Sequence, residues 1–149
     1  MESSGSVRVL VVAHKTAATP ALIDAVRQRA ARGQATFTLL VPNVAHGLHK
    51  VVDPEDQDHD EAQAVLELAL PLLEEAAGSR VVGMVGDPEP LAAIQDAINL
   101  YGFDEVILST LPARVSRWLK LDLPSKVTGL GLPVTTVTAR SQEDAGASQ

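Results

Sequence analysis

Apolar residues along this chain fall into short continuous runs that alternate with segments of helical spacing. The runs are rich in valine, leucine and isoleucine and carry few charges. Runs of this kind are typical of strands buried on both faces, as in a parallel sheet flanked by helices. We therefore predict five strands, over residues 7–13, 36–41, 80–85, 105–109 and 133–138.

Between these runs, turn residues mark where helices begin and end. Thr19-Pro20 and Asp87-Pro88 each place a capping residue before a proline, which favours a helix start. Glycines follow the apolar spacing of three segments and favour helix ends. The predicted helices cover residues 20–32, 61–77, 88–101, 114–121 and 125–130, with Pro71 expected to kink the second.

Alternating strands and helices predict an α/β protein with right-handed crossovers. We expect a single doubly wound, Rossmann-like domain with a five-stranded parallel sheet of order 3-2-1-4-5 and helices on both faces. The domain would span residues 7–138. Residues 1–6 and 139–149 are expected to be disordered, and residues 43–60 to form a mobile loop.

Composition narrows the class of protein. The 149 residues are 46% hydrophobic, which suits one globular core. A net charge of −7 argues against a general nucleic-acid binder, and the lack of cysteine excludes disulfides and thiolate chemistry. The polar start resembles no secretory signal, and the apolar run 9–13 is far shorter than the about 20 residues of a membrane span. We expect a cytoplasmic protein without membrane contact.

Basic residues gather near the end of the fourth strand, in an otherwise acidic chain. Arg114, Arg117, Lys120 and Lys126 could hold a phosphate or carboxylate through charge-assisted hydrogen bonds. Ser109 and Thr110, at the strand end, would supply hydroxyl donors to such an anion. The alternative interpretation is a solvated helix face whose charges balance nearby acidic residues.

His14 and Lys15 follow the first strand on the same edge of the sheet. A histidine there could serve as an acid, a base or a hydrogen-bond donor, or could simply cap the next helix. Val41, at the end of the second strand, belongs to this edge as well. His46 and His49, with the acidic residues over 53–60, suggest a metal site, for which a mobile acidic loop is the alternative.

The last strand is expected to lie at an edge of the sheet. It is rich in valine and threonine and has no lysine to discourage pairing with another chain. Val134, Thr136 and Thr138 are therefore candidates for a homodimer interface, unless the C-terminal tail covers this edge.

Several of these segments, taken in order, resemble the corresponding segments of a known protein family. They are residues 7–13 leading into Thr19-Pro20, the tripeptide Gly86-Asp87-Pro88, residues 104–109, Lys126-Val127 and Leu132-Pro133-Val134. Together they resemble the universal stress protein family over roughly residues 7–138. The resemblance implies a fold of the adenine nucleotide alpha hydrolase type, ATP or AMP as possible ligands, Gly86 close to the ligand, and dimers formed through the last strand.

The chain departs from the nucleotide-binding members of that family at the phosphate loop. They carry Gly-x2-Gly-x9-Gly, whose glycines let backbone amides approach phosphate. Here the three positions fall on Ser109, Pro112 and Asp122, and proline offers no amide donor. The aspartate that such members carry after the first strand is His14 here.

These departures predict a universal stress-like protein without catalytic activity. It would be a dimeric regulatory or interaction module with a diverged nucleotide or anion site. The alternative is an adenine-nucleotide-binding protein, or a weak ATPase or phosphotransferase. Thr16, Asp87 and Asp122 are the residues available to orient a metal for such an enzyme, and no motif supports them. No catalytic residue or metal ligand is assigned.

Overall fold

The computed structural model describes residues 6–43, 54–112 and 116–139, with the backbone alone described over 54–60. The strands are β1 (Val7–Val12), β2 (Ala35–Pro42), β3 (Val81–Gly86), β4 (Glu105–Thr110) and β5 (Val134–Thr138). The helices are α1 (Pro20–Ala31), α2 (Pro54–Ala77), α3 (Pro90–Tyr101), α4 (Arg117–Lys120) and α5 (Leu123–Thr128).

All five strands form one parallel sheet in the order β3-β2-β1-β4-β5, as the sequence predicted. β1 is central: Val12 lies opposite Leu40 of β2 on one side and Leu108 of β4 on the other. The strands β3 and β5 are the edges of the sheet.

Two apolar cores lie on opposite faces of the sheet, because side chains along β1 alternate between them. Val9 and Val11 pack with residues of α1 and α2. Leu10 and Val12 pack on the other face with residues of α3 and α5. This two-sided burial explains the continuous apolar runs in the sequence, and it confirms the doubly wound α/β class.

The second helix begins earlier than predicted. α2 starts at Pro54 rather than at residue 61, so the prediction of a loop extending to residue 60 is wrong for its last part. Residues 54–60 carry a proline followed by several carboxylates. Proline suits the first helical position and carboxylates suit the first turn, near the positive end of the helix dipole.

The third helix begins later than predicted, and Asp87 is not its N-cap. The N-cap is Glu89, whose carboxylate accepts a hydrogen bond from the N–H of Ala92 at 2.9 Å, and Pro90 is the first helical residue. The Asp87 carboxylate instead accepts a hydrogen bond from the N–H of Glu89 at 2.9 Å. Two acid-proline pairs follow one another here, and the second one starts the helix.

Opposite the carboxyl ends of the strands, an ion pair joins the last turn of α1 to the start of β4. Arg29 Nε donates to Glu105 Oε2 at 2.7 Å, with 10% and 22% of the two side chains exposed. This pair fixes α1 against the sheet at the amino end of β4. In the described part of the chain, no helix is both long and apolar enough to cross a membrane.

Candidate functional site

The sheet brings its candidate residues together at the carboxyl ends of β1, β2 and β4. From β1 the chain proceeds toward one edge through β2 and β3, then crosses back to β4 and β5. In open parallel sheets this reversal leaves a crevice outside the strand ends, where ligands bind. Here that position is between the segment that follows β1, which contains His14, and the end of β4 at Thr110.

A buried hydrogen bond crosses this crevice. Thr16 Oγ1 and Ser109 Oγ lie 2.6 Å apart, and the two residues are 3% and 1% exposed. The Thr16 carbonyl also accepts hydrogen bonds from the hydroxyl and the N–H of Thr19 at 2.8 and 3.2 Å. The Ser109 hydroxyl is therefore already engaged within the protein, and a ligand would have to compete with Thr16 for it.

The hydroxyl of Thr110, unlike that of Ser109, forms no hydrogen bond with the described residues. The residue is 2% exposed, and its hydroxyl oxygen is buried. Its backbone carbonyl accepts a hydrogen bond from the N–H of Ala139 at 2.8 Å, so its main chain is satisfied. A buried hydroxyl with no partner costs about 1–3 kcal/mol of stability, and the strand ladder gives no reason for that cost.

Asn43, which the sequence analysis missed, has a similar buried atom. It follows β2, and its N–H donates to the carbonyl of Gly86 at 2.9 Å. Its Oδ1 atom is buried without a partner among the described residues. The only signal in the sequence was an amide residue placed directly after a buried strand, which ends in Pro42.

Val41 and Gly86 have structural roles at this edge. The Val41 side chain is fully buried in the core beneath α1 and α2, which leaves only its backbone for a ligand. A Cβ on Gly86 would lie 2.8 Å from Leu40 Cδ1 and 2.9 Å from Ala93 Cβ. Glycine at this position therefore lets α3 approach β2 and β3 closely.

His14 lies between the two buried polar atoms, on the loop that follows β1. It is 8% exposed, and its carbonyl accepts a hydrogen bond from the N–H of Ala17 at 3.2 Å. Lys15, beside it, is exposed. The structure thus places His14 at the centre of the edge and Lys15 in contact with solvent.

The basic residues that follow β4, which the sequence predicted as an anion site, are on the surface. Arg117, Lys120 and Lys126 are exposed, and none forms an ion pair within the described residues, whereas Arg114 lies outside them. Trp118 is half-buried and packs against the core beneath α3 and α5. The arrangement fits a solvated face, or a surface that an anion could approach from solvent.

Asp122 has a left-handed backbone conformation at the position where the phosphate-loop pattern has its third glycine. Its φ is 60°, in the left-handed region that glycine adopts most easily, and it is the N-cap of α5 without a side-chain capping bond. The turn between α4 and α5 therefore has a conformation that favours glycine, and the residue at this position is a carboxylate.

The suggested metal site lies largely outside the described residues. His46, His49 and Asp53 are not described, and neither are the side chains over 55–60. Among the side chains that the structure does describe, no group of three or more His, Cys, Asp or Glu residues is placed to hold a metal ion.

No protein-family model and no curated protein sequence matches the chain. Solved structures do. The universal stress protein from Archaeoglobus fulgidus is 15% identical, with 88% of this chain and 93% of that chain covered and a TM-score of 0.64. A hypothetical protein, PH0823, is also 15% identical, with 91% and 98% covered and a TM-score of 0.55.

These similarities define the fold. The chain is a doubly wound α/β protein whose sheet has the order 3-2-1-4-5. More particularly, it has the fold of the universal stress protein from Archaeoglobus fulgidus over nearly its whole length. The resemblance predicted from the sequence is confirmed at the level of the fold.

Proposed function

We propose that this protein is a universal stress-like, dimeric regulatory or interaction module without catalytic activity, and that its ligand site has diverged from ATP binding. The hydrogen bond between Ser109 and Thr16 carries this proposal. It occupies the strand end where the nucleotide-binding pattern requires a glycine. Pro112 then removes one amide donor, so the loop after β4 offers phosphate a poorer cradle.

The dimer proposal rests on the free edge of β5. The carbonyl of Pro133 accepts from Val106 and the N–H of Ala139 donates to Thr110, so odd-numbered residues bond to β4. Backbone groups alternate along a parallel strand. The N–H and C=O groups of Val134, Thr136 and Thr138 therefore point away from β4, and a second β5 could pair with them antiparallel across a two-fold axis.

Light scattering coupled to size-exclusion chromatography at micromolar concentration tests this dimer. Wild type should elute with the mass of two chains. Thr136→Pro should shift the mass to one chain, because proline removes an outward donor and is tolerated on an edge strand. Thr136→Ala, which keeps the N–H, is the matched control. A wild-type monomer, or a proline variant that still dimerises, contradicts pairing through β5.

A thermal-shift series with ATP, ADP, AMP and cyclic AMP, each with and without magnesium, tests the diverged site. We expect flat traces at millimolar ligand. Binding at 100 times the dissociation constant would stabilise the fold by about 2.7 kcal/mol. A rise in the unfolding midpoint would favour the alternative, an adenine-nucleotide-binding protein or a weak ATPase. That alternative is supported by Arg117, Lys120 and Lys126, which are exposed and form no ion pair with another described residue.

The remaining parts of the proposal come from the sequence alone. They are a functional domain over residues 7–138, a cytoplasmic location, and no nucleic-acid partner. The net charge of −7 supports the last of these.

A further inference from the structure

The carboxyl edge of the sheet holds two buried oxygen atoms that have no hydrogen-bond partner among the described residues. One is Oγ1 of Thr110, and the other is Oδ1 of Asn43. Val106 and Leu108 pack beneath α3 and α5, so alternation along β4 directs the Thr110 side chain toward that face, whereas Asn43 follows Val41, which packs beneath α1 and α2 on the opposite face. A ligand that contacts both residues would therefore lie across the end of β1. The strand β1 separates β2 from β4, which puts the two residues about 10 Å apart at the usual strand spacing.

The chemistry of these atoms favours a neutral ligand over an anion. A threonine hydroxyl can donate or accept, whereas an amide Oδ1 only accepts. An anion would face that oxygen without a compensating donor, and a buried charge requires a partner. The described cations of the neighbouring segment, Arg117, Lys120 and Lys126, lie in solvent. An N–H or O–H group of a ligand could supply the hydrogen-bond partner that neither oxygen has among the described residues.

We propose that the edge between β2 and β4 binds an uncharged small molecule rich in O–H or N–H donors, of the chemical class of nucleosides, sugars and primary amides. Thr110 and Asn43 are its hydrogen-bonding residues. The ligand supplies the hydrogen-bond partners that these two residues lack among the described residues. This inference rests on the diverged site proposed above and names the class of compound that the site accepts.

The first test needs no ligand. Thr110→Val keeps the shape of the side chain and removes the unpartnered hydroxyl, so the variant should unfold about 2–6 °C above wild type. The control is Thr36→Val, at an exposed threonine of β2, whose midpoint should change by less than about 1 °C. A lower midpoint for Thr110→Val would mean that the hydroxyl has a partner within the protein, and would overturn the assignment.

The second test uses pairs of probes that differ in charge: ribose with ribose 5-phosphate, nicotinamide with nicotinate, and adenosine with AMP. Titrations followed by thermal shift and by NMR of the protein amides should show binding of at least one neutral member. Its dissociation constant should be at least tenfold lower than that of the charged member. Thr110→Val should abolish this binding, and Thr110→Ser should retain it.

Three results would overturn the inference: a charged member that binds better, no binding by any neutral member, or neutral binding that survives Thr110→Val. None of these results bears on the mass measured by light scattering. The proposal of a dimeric interaction module would therefore remain, without this class of ligand. Conversely, if wild type is a monomer that still binds a neutral probe, the dimer proposal is wrong and the ligand proposal stands.

Discussion

Thr16 Oγ1 lies 2.6 Å from Ser109 Oγ, which joins the loop after β1 to the end of β4 across 93 positions of sequence. Both residues are almost fully buried, and the pair lies at the point where the strand order reverses. In a nucleotide-binding relative this position would be a glycine without a side chain. Under the function proposed above, the hydroxyl pair is one reason why this strand end would disfavour phosphate.

The Thr16–Ser109 bond should be measurable as a coupling energy. We expect Ser109→Ala and Thr16→Val each to lower the free energy of unfolding by about 1–2 kcal/mol, because each leaves one buried hydroxyl unsatisfied. The double variant should lose less than the sum, with a coupling of about 0.5–1.5 kcal/mol. Urea denaturation of the four proteins gives these values, and strictly additive losses would show that the two hydroxyls do not interact.

Much of the fold could be predicted because local signals and the global arrangement agree. The valine-rich runs gave the strands, and right-handed crossovers limited their order. Where two local signals competed, the prediction failed. Asp87-Pro88 and Glu89-Pro90 are both plausible helix starts, and only the capping hydrogen bond that the Ala92 N–H donates to the Glu89 carboxylate decides between them. The start of α2 was missed since its acidic first turn resembles a polar loop.

The candidate site was harder to predict, because its decisive contacts are distant in sequence. Ser109 and Thr110 were both expected to donate to a ligand, yet one hydroxyl is bound to Thr16 and the other has no partner in the described structure. The residues next to Ser109 and Thr110 in the sequence do not indicate which of the two hydroxyls is already hydrogen-bonded within the protein. Asn43 was missed for the same reason, since the burial of its amide depends on the strands that surround it.

Asp122 should tolerate glycine but not a β-branched residue. Its φ of 60° is accessible to aspartate at a small cost, is strain-free for glycine, and is strongly disfavoured for valine. We expect Asp122→Val to destabilise the fold by about 1–2 kcal/mol and Asp122→Gly to change it by less than about 0.5 kcal/mol. Thermal unfolding compares them, and equal losses would argue against a left-handed residue at this position.

Gly86 should be less replaceable than Gly83, although both glycines lie in β3. A Cβ at Gly86 meets Ala93 Cβ at 2.9 Å, and that atom is fixed to the backbone of α3. A Cβ at Gly83 meets Leu70 Cδ1 at 2.9 Å, at the end of a flexible side chain that can move. We expect Gly86→Ala to cost about 1–3 kcal/mol and Gly83→Ala clearly less. Chemical denaturation of the two variants checks the order, and the reverse order would contradict the packing of α3 against this strand end.

Introducing the three glycines of the phosphate-loop pattern is the most direct test of whether Ser109, Pro112 and Asp122 exclude nucleotides. The triple variant Ser109→Gly, Pro112→Gly and Asp122→Gly removes the hydroxyl held by Thr16, returns an amide donor and withdraws a negative charge. If these residues are what excludes phosphate, the triple variant should gain an ATP- or AMP-dependent rise in the unfolding midpoint that wild type lacks. At 100 times the dissociation constant the gain would be about 2.7 kcal/mol. Asp122→Gly alone is the matched control, since it keeps the Ser109–Thr16 bond and Pro112. A triple variant that folds but responds no more than this control would place the barrier to nucleotides elsewhere, with His14 after β1 as the next residue to exchange for aspartate.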